Sequence, residues 1–180
     1  MDDRQGRLLD DFADEFRNTP VEEFAGIFAI PALVVELPDQ GARPTAYDTD
    51  ERETMDPSSE GSPEFGLGTQ YVWFLLKGDR NSFSGRISAG RSRNNDIVIG
   101  HRTVSKAHAY FELFGADWML TDMASKNGTF LNGNRIYENH PTAISAMDVI
   151  RFGSIKSIFL TPQALFNYAN LHDRIRKIRP

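Results

Sequence analysis

Cysteine is absent from the 180-residue sequence. Its absence excludes disulfide frameworks, thiolate zinc sites, cysteine nucleophiles and iron–sulfur clusters, and it suits a reducing compartment. Long apolar runs are also absent, since no stretch approaches the ~20 residues needed to cross a bilayer. Residues 1–6 are acidic and lack the apolar core of a secretion signal. We therefore expect a cytoplasmic protein with no membrane partner.

Histidine is scarce, with 4 residues in the chain. They lie far apart in sequence, without a His-Glu-x-x-His pattern or other clustered ligand spacing, so we expect neither a metal nor a cofactor. Ser105, His108 and Asp122 are the residue types of a hydrolytic triad, but the sequence has no Gly-x-Ser-x-Gly elbow. These patterns argue against an enzyme.

Charge is distributed unevenly behind a net charge of −5. Residues 1–69 contain 5 basic and 17 acidic residues, residues 70–161 contain 11 and 7, and residues 162–180 contain 4 and 1. A basic part that follows an acidic arm favours an anionic ligand, and the arm either lies on the basic part or is solvated. The basic excess is modest, so nucleic acid is the weaker candidate for that ligand.

Four segments are predicted along the chain. Residues 1–37 form an N-terminal helical and apolar extension, in which residues 4–17 have helical spacing and Thr19 begins a second helix as part of a capping box. Residues 38–69 lack periodicity and are predicted as a flexible acidic linker. Residues 70–161 form the main domain. Residues 162–180 form a C-terminal basic helix, with Leu165, Ala169, His172 and residues 175–178 along one side.

The main domain is dense in short β signals separated by turn residues, which predicts an all-β antiparallel sandwich. Asn127-Gly128 and Asn132-Gly133 bracket one short strand and are both suited to tight primed turns. The predicted strands are 71–76, 97–99, 109–113, 118–121, 129–131, 149–152 and 157–160.

Three polar loops between these strands contain the candidate binding groups. They lie at residues 90–97, 104–109 and 122–129. Together they supply a guanidinium, several hydroxyls, two ammonium groups and a side-chain amide. Such donors suit a phosphate dianion and an extended peptide backbone.

The loop residues form a series of short motifs in a fixed order: Gly90-Arg91, Asn95-Asp96-Ile97, Ser105-x-x-His108-Ala109 and the run from Asp122 through Asn127-Gly128-Thr129 to Asn132-Gly133. This series resembles the pattern of the forkhead-associated (FHA) domain. The resemblance implies a β-sandwich of about eleven strands that binds phosphothreonine peptides through loops at one end.

The resemblance also implies a role for each matched position. Arg91 and Ser105 would bind the phosphate, Lys106 and Lys126 would add charge or backbone contacts, and Asn127 would hold the peptide main chain. The positions that would shape the loops are Gly90, Asp96, His108, Asp122 and Gly128.

The expected function is that of a signalling adaptor that binds phosphothreonine proteins, including substrates of Ser/Thr kinases. Thr45, Thr49 and Thr54 in the predicted linker are candidate ligands from the chain itself. The alternative is an interaction protein that keeps the FHA fold and binds its partner without phosphate.

Overall fold

The computed structural model describes residues 6–38, 68–78 and 85–178. Within these residues, twelve strands form two sheets, and three helices accompany them. The helices are α1 (Leu9–Phe16), α2 (Val21–Ile27) and α3 (Pro162–Ile178). The strands are β1 (Arg7–Leu8), β2 (Ala32–Leu37), β3 (Thr69–Phe74), β4 (Ile87–Gly90), β5 (Ile97–Val98), β6 (Ala109–Phe114), β7 (Asp117–Asp122), β8 (Thr129–Leu131), β9 (Asn134–Arg135), β10 (Thr142–Ile144), β11 (Val149–Phe152) and β12 (Ile155–Leu160).

The two sheets form the predicted β-sandwich. One sheet has the strand order β1-β3-β2-β12-β11-β8-β9, and the other has the order β10-β7-β6-β4-β5. Strand pairs are antiparallel except β4 with β5, which run parallel. The all-β prediction is therefore confirmed, with a parallel pair at one edge.

Alternating side chains build the core between the sheets. Along β6, Ala109 and Phe111 are buried in this core, while Tyr110 is partly exposed on the other face. The same alternation in β11 places Ile150 and Phe152 inside. The strand period of two therefore divides these residues between core and surface.

A second apolar cluster covers the outer face of the seven-stranded sheet. Phe12 from α1, Phe24 from α2 and Leu165 from α3 pack there against Val34 and Leu160 of the sheet. Strand β2 is therefore buried on both faces, since its Leu33 and Val35 belong to the sandwich core. Burial on both faces explains why four consecutive residues of this strand, Ala32 to Val35, are apolar rather than alternating with polar residues.

Ion pairs join α1 to α3 at the rim of this helical layer. Arg176 of α3 pairs with Asp14 at 2.6 Å and with Asp173 at 3.1 Å. Arg17, which follows α1, lies 3.2 Å from the buried Asp173. The carboxylates of α1 thus meet the basic end of α3, a polarity that the helix dipole also favours.

The N-terminal elements differ in detail from the prediction. Helix α1 begins at Leu9 rather than near residue 4, because Arg7 and Leu8 pair with β3 instead. The capping box is wrong, since α2 follows Pro20 without a side-chain cap. The backbone N–H of Thr19 bonds to the Phe16 carbonyl, so Thr19 belongs to the turn that closes α1.

The C-terminal helix is present, but its buried side is different. Leu165, Ala169 and Asp173 are buried, whereas Ile175 is 47% and Ile178 81% exposed. Asp173 lies inside because Arg17, Arg176 and Lys177 surround its carboxylate. The basic pairs thus replace the apolar contacts expected for the last two turns.

Strand pairing crosses the predicted domain boundaries. Strand β2 lies between β3 and β12, with Leu37 paired to Thr69 at one end. The two strands that flank the predicted linker are therefore direct neighbours in one sheet. The division at residues 37 and 70 stays a prediction, and most of the predicted linker, residues 39–67, lies outside the described residues.

None of the helices among the described residues is long and apolar enough to span a membrane.

Candidate phosphate-binding loop site

Arg91 directly follows the last residue of β4, at one end of the sandwich. Its backbone N–H donates to the Ser105 carbonyl at 2.9 Å, and its side-chain Nε donates to the Val104 carbonyl at 3.2 Å. The second bond holds the exposed guanidinium at its inner nitrogen. The two terminal nitrogens are left to form a planar pair of donors, the geometry that suits a phosphate.

Gly90 and Asn95 hold the two neighbouring loops together. A Cβ on Gly90 would lie 2.5 Å from the Lys106 carbonyl oxygen, so only glycine allows this approach. The buried Asn95 amide donates to the Ser92 carbonyl at 2.8 Å and to the Lys106 carbonyl at 2.7 Å. These contacts fix the position of Arg91 relative to Ser105.

Ser105 connects the second loop to the third. Its hydroxyl oxygen accepts the Lys126 backbone N–H at 3.0 Å. This bond leaves the hydroxyl proton available to donate to a ligand. Lys106 follows Ser105 in the chain, Lys126 is joined to Ser105 by this bond, and both lysine side chains are exposed. The structure therefore brings Arg91, Ser105 and two exposed lysines to one end of the sandwich.

His108 is fully buried beneath these loops. Its Nδ1 accepts the Ser105 backbone N–H at 3.0 Å, which leaves Nε2 to donate to the Gly128 carbonyl at 3.2 Å. Desolvation by burial lowers the pKa of His108, although the Gly128 carbonyl and Asp122 oppose this shift. The neutral ring joins two loops through fixed hydrogen bonds.

Asp122 organises the third loop. Its carboxylate accepts from the Ser125 backbone N–H at 3.0 Å, the Ser125 hydroxyl at 2.6 Å and the Thr129 hydroxyl at 2.7 Å. Gly128 adopts φ +77°, a conformation that glycine takes without strain. The loop is therefore shaped before any ligand arrives.

Asp96 has a similar task beneath the first loop. The carboxylate is buried and accepts from the Gly78 backbone N–H at 2.8 Å and the Ser88 backbone N–H at 2.7 Å. It is thereby occupied in joining β4 and β5 to the residues after β3.

Asn127 lies at the exposed tip of the third loop. Its side-chain amide donates to the Thr103 carbonyl at 2.7 Å. The Thr103 hydroxyl contacts the Ser154 hydroxyl at 2.8 Å, and the Gly153 N–H donates to the Gly128 carbonyl at 3.0 Å. The turn between β11 and β12 is thus a fourth loop of the site, which the sequence analysis did not include.

The geometry does not support the hydrolytic triad. Both ring nitrogens of His108 are committed to backbone groups, and neither bonds to the Ser105 hydroxyl. The Asp122 carboxylate is occupied by Ser125 and Thr129 rather than by the histidine. In the part of the chain that is described, no cluster of three or more potential metal-ligating side chains occurs.

Two residues of the sequence motifs have contacts at the site for which the sequence predicted no role. Asn95 bonds two carbonyls, and Thr129 completes the set of donors to Asp122. An asparagine next to a predicted reversal was the available signal for Asn95. No local signal identified Thr129, because its partner lies across a loop.

Comparison with known proteins identifies one domain of the chain. Residues 87–153 match the family model described as the FHA domain, which covers all three predicted loops. The chain therefore contains an FHA domain, as its motifs predicted.

Similar proteins are found among bacterial regulators. The chain is 34% identical over 74 residues to the glycogen accumulation regulator GarA of Mycolicibacterium smegmatis, which is 41% of this chain and 45% of that protein. It is 33% identical over 73 residues to the oxoglutarate dehydrogenase inhibitor of Corynebacterium jeikeium, at 41% and 49% coverage. The matches thus span about half the length of these relatives.

One solved structure that is similar to this chain is that of the FHA domain of the CT664 protein from Chlamydia trachomatis. It has a TM-score of 0.48 at 18% identity and covers 73% of this chain and 96% of that chain.

Proposed function

We propose that this protein is a non-catalytic adaptor module that binds phosphothreonine-containing proteins through the loops around Arg91. The FHA match supports the class of ligand. The observation that carries the proposal is the Arg91 side chain, held through its Nε by the Val104 carbonyl beside the Ser105 hydroxyl.

Electrostatics favour a phosphate at this position. A phosphothreonine carries about −1.5 to −2 charges and three acceptor oxygens near neutral pH. Arg91 supplies a planar pair of donors, Ser105 supplies a hydroxyl, and Lys106 and Lys126 supply flanking positive charge. Among the described residues, no carboxylate forms an ion pair with Arg91. In that part of the chain, no acidic side chain therefore competes with the phosphate for the Arg91 guanidinium.

The peptide main chain would contact Asn127. Its amide is exposed and at present donates to the Thr103 carbonyl. An amide that already bonds one backbone carbonyl has the chemistry to bond the backbone of an extended ligand. Asn127 therefore positions the peptide while Arg91 and Ser105 bind its phosphate.

Affinity selection from an oriented phosphothreonine peptide library, followed by titration calorimetry with single selected peptides, tests this function. We expect binding to the phosphopeptide and none to its unphosphorylated twin. Arg91→Ala should weaken binding at least thirtyfold, about 2 kcal/mol, because the phosphate loses a charged partner. Arg174→Ala, which removes an exposed charge on α3, is the matched control.

The opposite results would reject the proposal. Equal affinity for phosphorylated and unphosphorylated peptides would show binding without phosphate. Unchanged affinity in a folded Arg91→Ala variant would remove Arg91 from the site.

A further inference from the structure

Three basic side chains form a row on the outer face of the seven-stranded sheet. Strand register places Arg135 opposite Phe130, Phe130 opposite Arg151, and Arg151 opposite Lys156. The neighbours Ile150, Phe152 and Ile155 point into the sandwich core, so these four side chains lie on the opposite face. We call Arg135, Phe130, Arg151 and Lys156 the cationic row.

Within residues 6–38, 68–78 and 85–178, the ion pairs involve basic residues of the N- and C-terminal elements together with Lys77 and Arg86, and none involves Arg135, Arg151 or Lys156. The acidic residue that continues the register beyond Lys156 is Glu36 of β2, whose carboxylate accepts the Gly68 backbone N–H at 2.7 Å. Like charges directly opposite each other destabilise a sheet, so Arg151 beside Lys156 has an energetic cost. An acidic ligand would offset that cost.

Arg151 is held in place before any ligand binds. Its guanidinium lies over the Phe130 ring, 3.6 Å from the centroid, and also donates to the Gly153 carbonyl. Partial burial of the side chain lowers the pKa of Arg151 from its ordinary value. A positioned, partly desolvated guanidinium forms stronger contacts with carboxylates than a mobile exposed one.

The cationic row begins at the loop site. A Cβ on Gly128 would lie 2.7 Å from Nε of Arg135, so the Arg135 side chain packs against the residue next to Asn127. Gly153, the acceptor for Arg151, donates its N–H to the same Gly128. A peptide that leaves the phosphate loops on this side would pass directly onto the cationic row.

The dimensions and chemistry fit an extended acidic peptide. Neighbouring strands are about 4.8 Å apart, so the row spans roughly 14 Å, the length of about four extended residues. The Phe130 ring is covered by Arg151 on one face and is the row's single aromatic, a poor platform for stacked nucleic-acid bases. Carboxylates spaced along a peptide are therefore favoured over a polynucleotide.

We propose that the cationic row binds an acidic stretch of the same phosphoprotein whose phosphothreonine occupies the loop site. This inference rests on the proposed function and adds a second determinant to it. The protein would thus prefer ligands in which several Asp or Glu residues precede or follow the phosphothreonine.

Fluorescence anisotropy with four matched phosphopeptides tests the proposal. Two carry a four-residue acidic extension, one on each side of the phosphothreonine, and two carry Gln and Asn there instead. One acidic peptide should bind about fivefold more tightly than its neutral twin, and 0.5 M salt should remove the difference. Arg151→Gln and, separately, Lys156→Gln should abolish the gain and leave affinity for the neutral peptides unchanged.

The controls separate the possible failures. Arg174→Gln on α3 removes an equal charge and should keep the gain. Lys156→Gln keeps the test informative if Arg151→Gln unfolds, since within the described residues the Lys156 side chain forms neither a hydrogen bond nor an ion pair and its strand pairing uses only the backbone. Failure of the neutral phosphopeptides to bind would reject the proposed function, whereas neutral binding without an acidic gain would reject the row alone.

Three other outcomes would overturn the proposal. The first is a gain that persists in both variants. The second is a gain that emerges only after Asp48, Asp50, Glu51 and Glu53 are changed to amides, which would assign the row to the chain's own acidic segment. The third is loss of single-stranded oligonucleotide binding in Lys156→Gln with no acidic-peptide gain in the parent.

Discussion

The ring of His108 accepts a hydrogen bond from the Ser105 backbone N–H at 3.0 Å, three residues earlier in the chain. The other ring nitrogen faces the Gly128 carbonyl at 3.2 Å. One buried side chain thus joins the loop that contains Ser105 to the loop that contains Asn127. Because both bonds need a neutral ring with the proton on Nε2, the arrangement depends on pH.

Protonation of His108 should destabilise the fold. Burial lowers its pKa below the ordinary 6.5, so the unfolded chain takes up a proton as pH falls through about 6.5 while the folded chain does not. The stabilising effect is therefore complete above that pH and declines below it. We expect the free energy of unfolding to fall by about 1 kcal/mol per unit below pH 6.5.

The matching variant is His108→Ala. Its free energy of unfolding should be lower than the parent's by about 1 to 3 kcal/mol at pH 7.5, because two buried backbone groups lose their partner. The free energy of unfolding should also depend less steeply on pH than in the parent. Urea unfolding at pH 7.5 and 5.5 measures both effects. His101, whose pKa burial also lowers, contributes to the pH dependence that remains. Identical pH profiles for parent and variant would contradict this role.

Asn127→Ala should reduce phosphopeptide affinity without lowering Tm. The side chain is exposed and its one recorded bond is to the Thr103 carbonyl, so the fold loses little when it is removed. Loss of a hydrogen bond to the peptide backbone should weaken binding roughly tenfold. Calorimetric titration and thermal unfolding of the same samples separate the two effects. Asn134→Ala, an exposed asparagine on β9, is the control, and an equal loss there would argue against a specific contact.

The local pattern predicted the strands well where one face is solvated. Strand β6 was predicted at 109–113 and observed at Ala109–Phe114, because Tyr110 and Phe111 alternate between surface and core. The turn at Asn132-Gly133 was also recognised, and both residues have positive φ. At Asn127-Gly128, only Gly128 does, since that segment is shaped by contacts to Thr103 and Arg135.

Features that depend on distant partners could not be predicted in the same way. Strand β1 exists because Arg7 and Leu8 meet β3, and Gly6 lets the chain pass where a Cβ would lie 2.7 Å from Trp73. Asp173 is buried because basic groups from two elements surround it. In the site, the motif identified which loops meet, whereas the contacts of Asn95 and Ser154 required the backbone positions of their partners.

The helical layer should be integral to the stability of the sandwich. Phe12 is fully buried among aromatic rings from α1, α2 and β3, with centroid distances of 5.0 to 6.0 Å. Phe12→Ala should therefore lower the free energy of unfolding by about 3 to 5 kcal/mol. Phe114→Ala is the matched control, since Phe114 is 78% exposed and its loss should change stability by less than about 0.5 kcal/mol. Equal unfolding midpoints in denaturant for the two variants would show that the layer is dispensable.

Phosphorylation of the chain's own Thr45, Thr49 or Thr54 should block external phosphopeptides. These residues lie outside the described part, but the strands that flank them end near the site. Leu37, the last residue of β2, is paired with Thr69, the first residue of β3. The neighbouring strand β12 begins at Ile155, two residues after Gly153 in the fourth loop of the site. Thr45 is 8 residues from Leu37, so chain connectivity allows it to lie up to about 28 Å away.

Tethering would make such an internal ligand an efficient competitor. A short connection gives an effective concentration of about the millimolar range, which saturates a site of micromolar affinity. We therefore expect quantitative phosphorylation of the segment to weaken external phosphopeptide binding at least tenfold, and the triple variant Thr45→Ala, Thr49→Ala, Thr54→Ala to be insensitive to the same kinase treatment.

Adding Arg91→Ala to the phosphorylated chain should release the segment, which limited proteolysis would detect. If the chain instead forms dimers on phosphorylation, by light scattering, the segment binds a second copy. Unchanged external affinity in a chain that stays monomeric would exclude both forms of self-recognition.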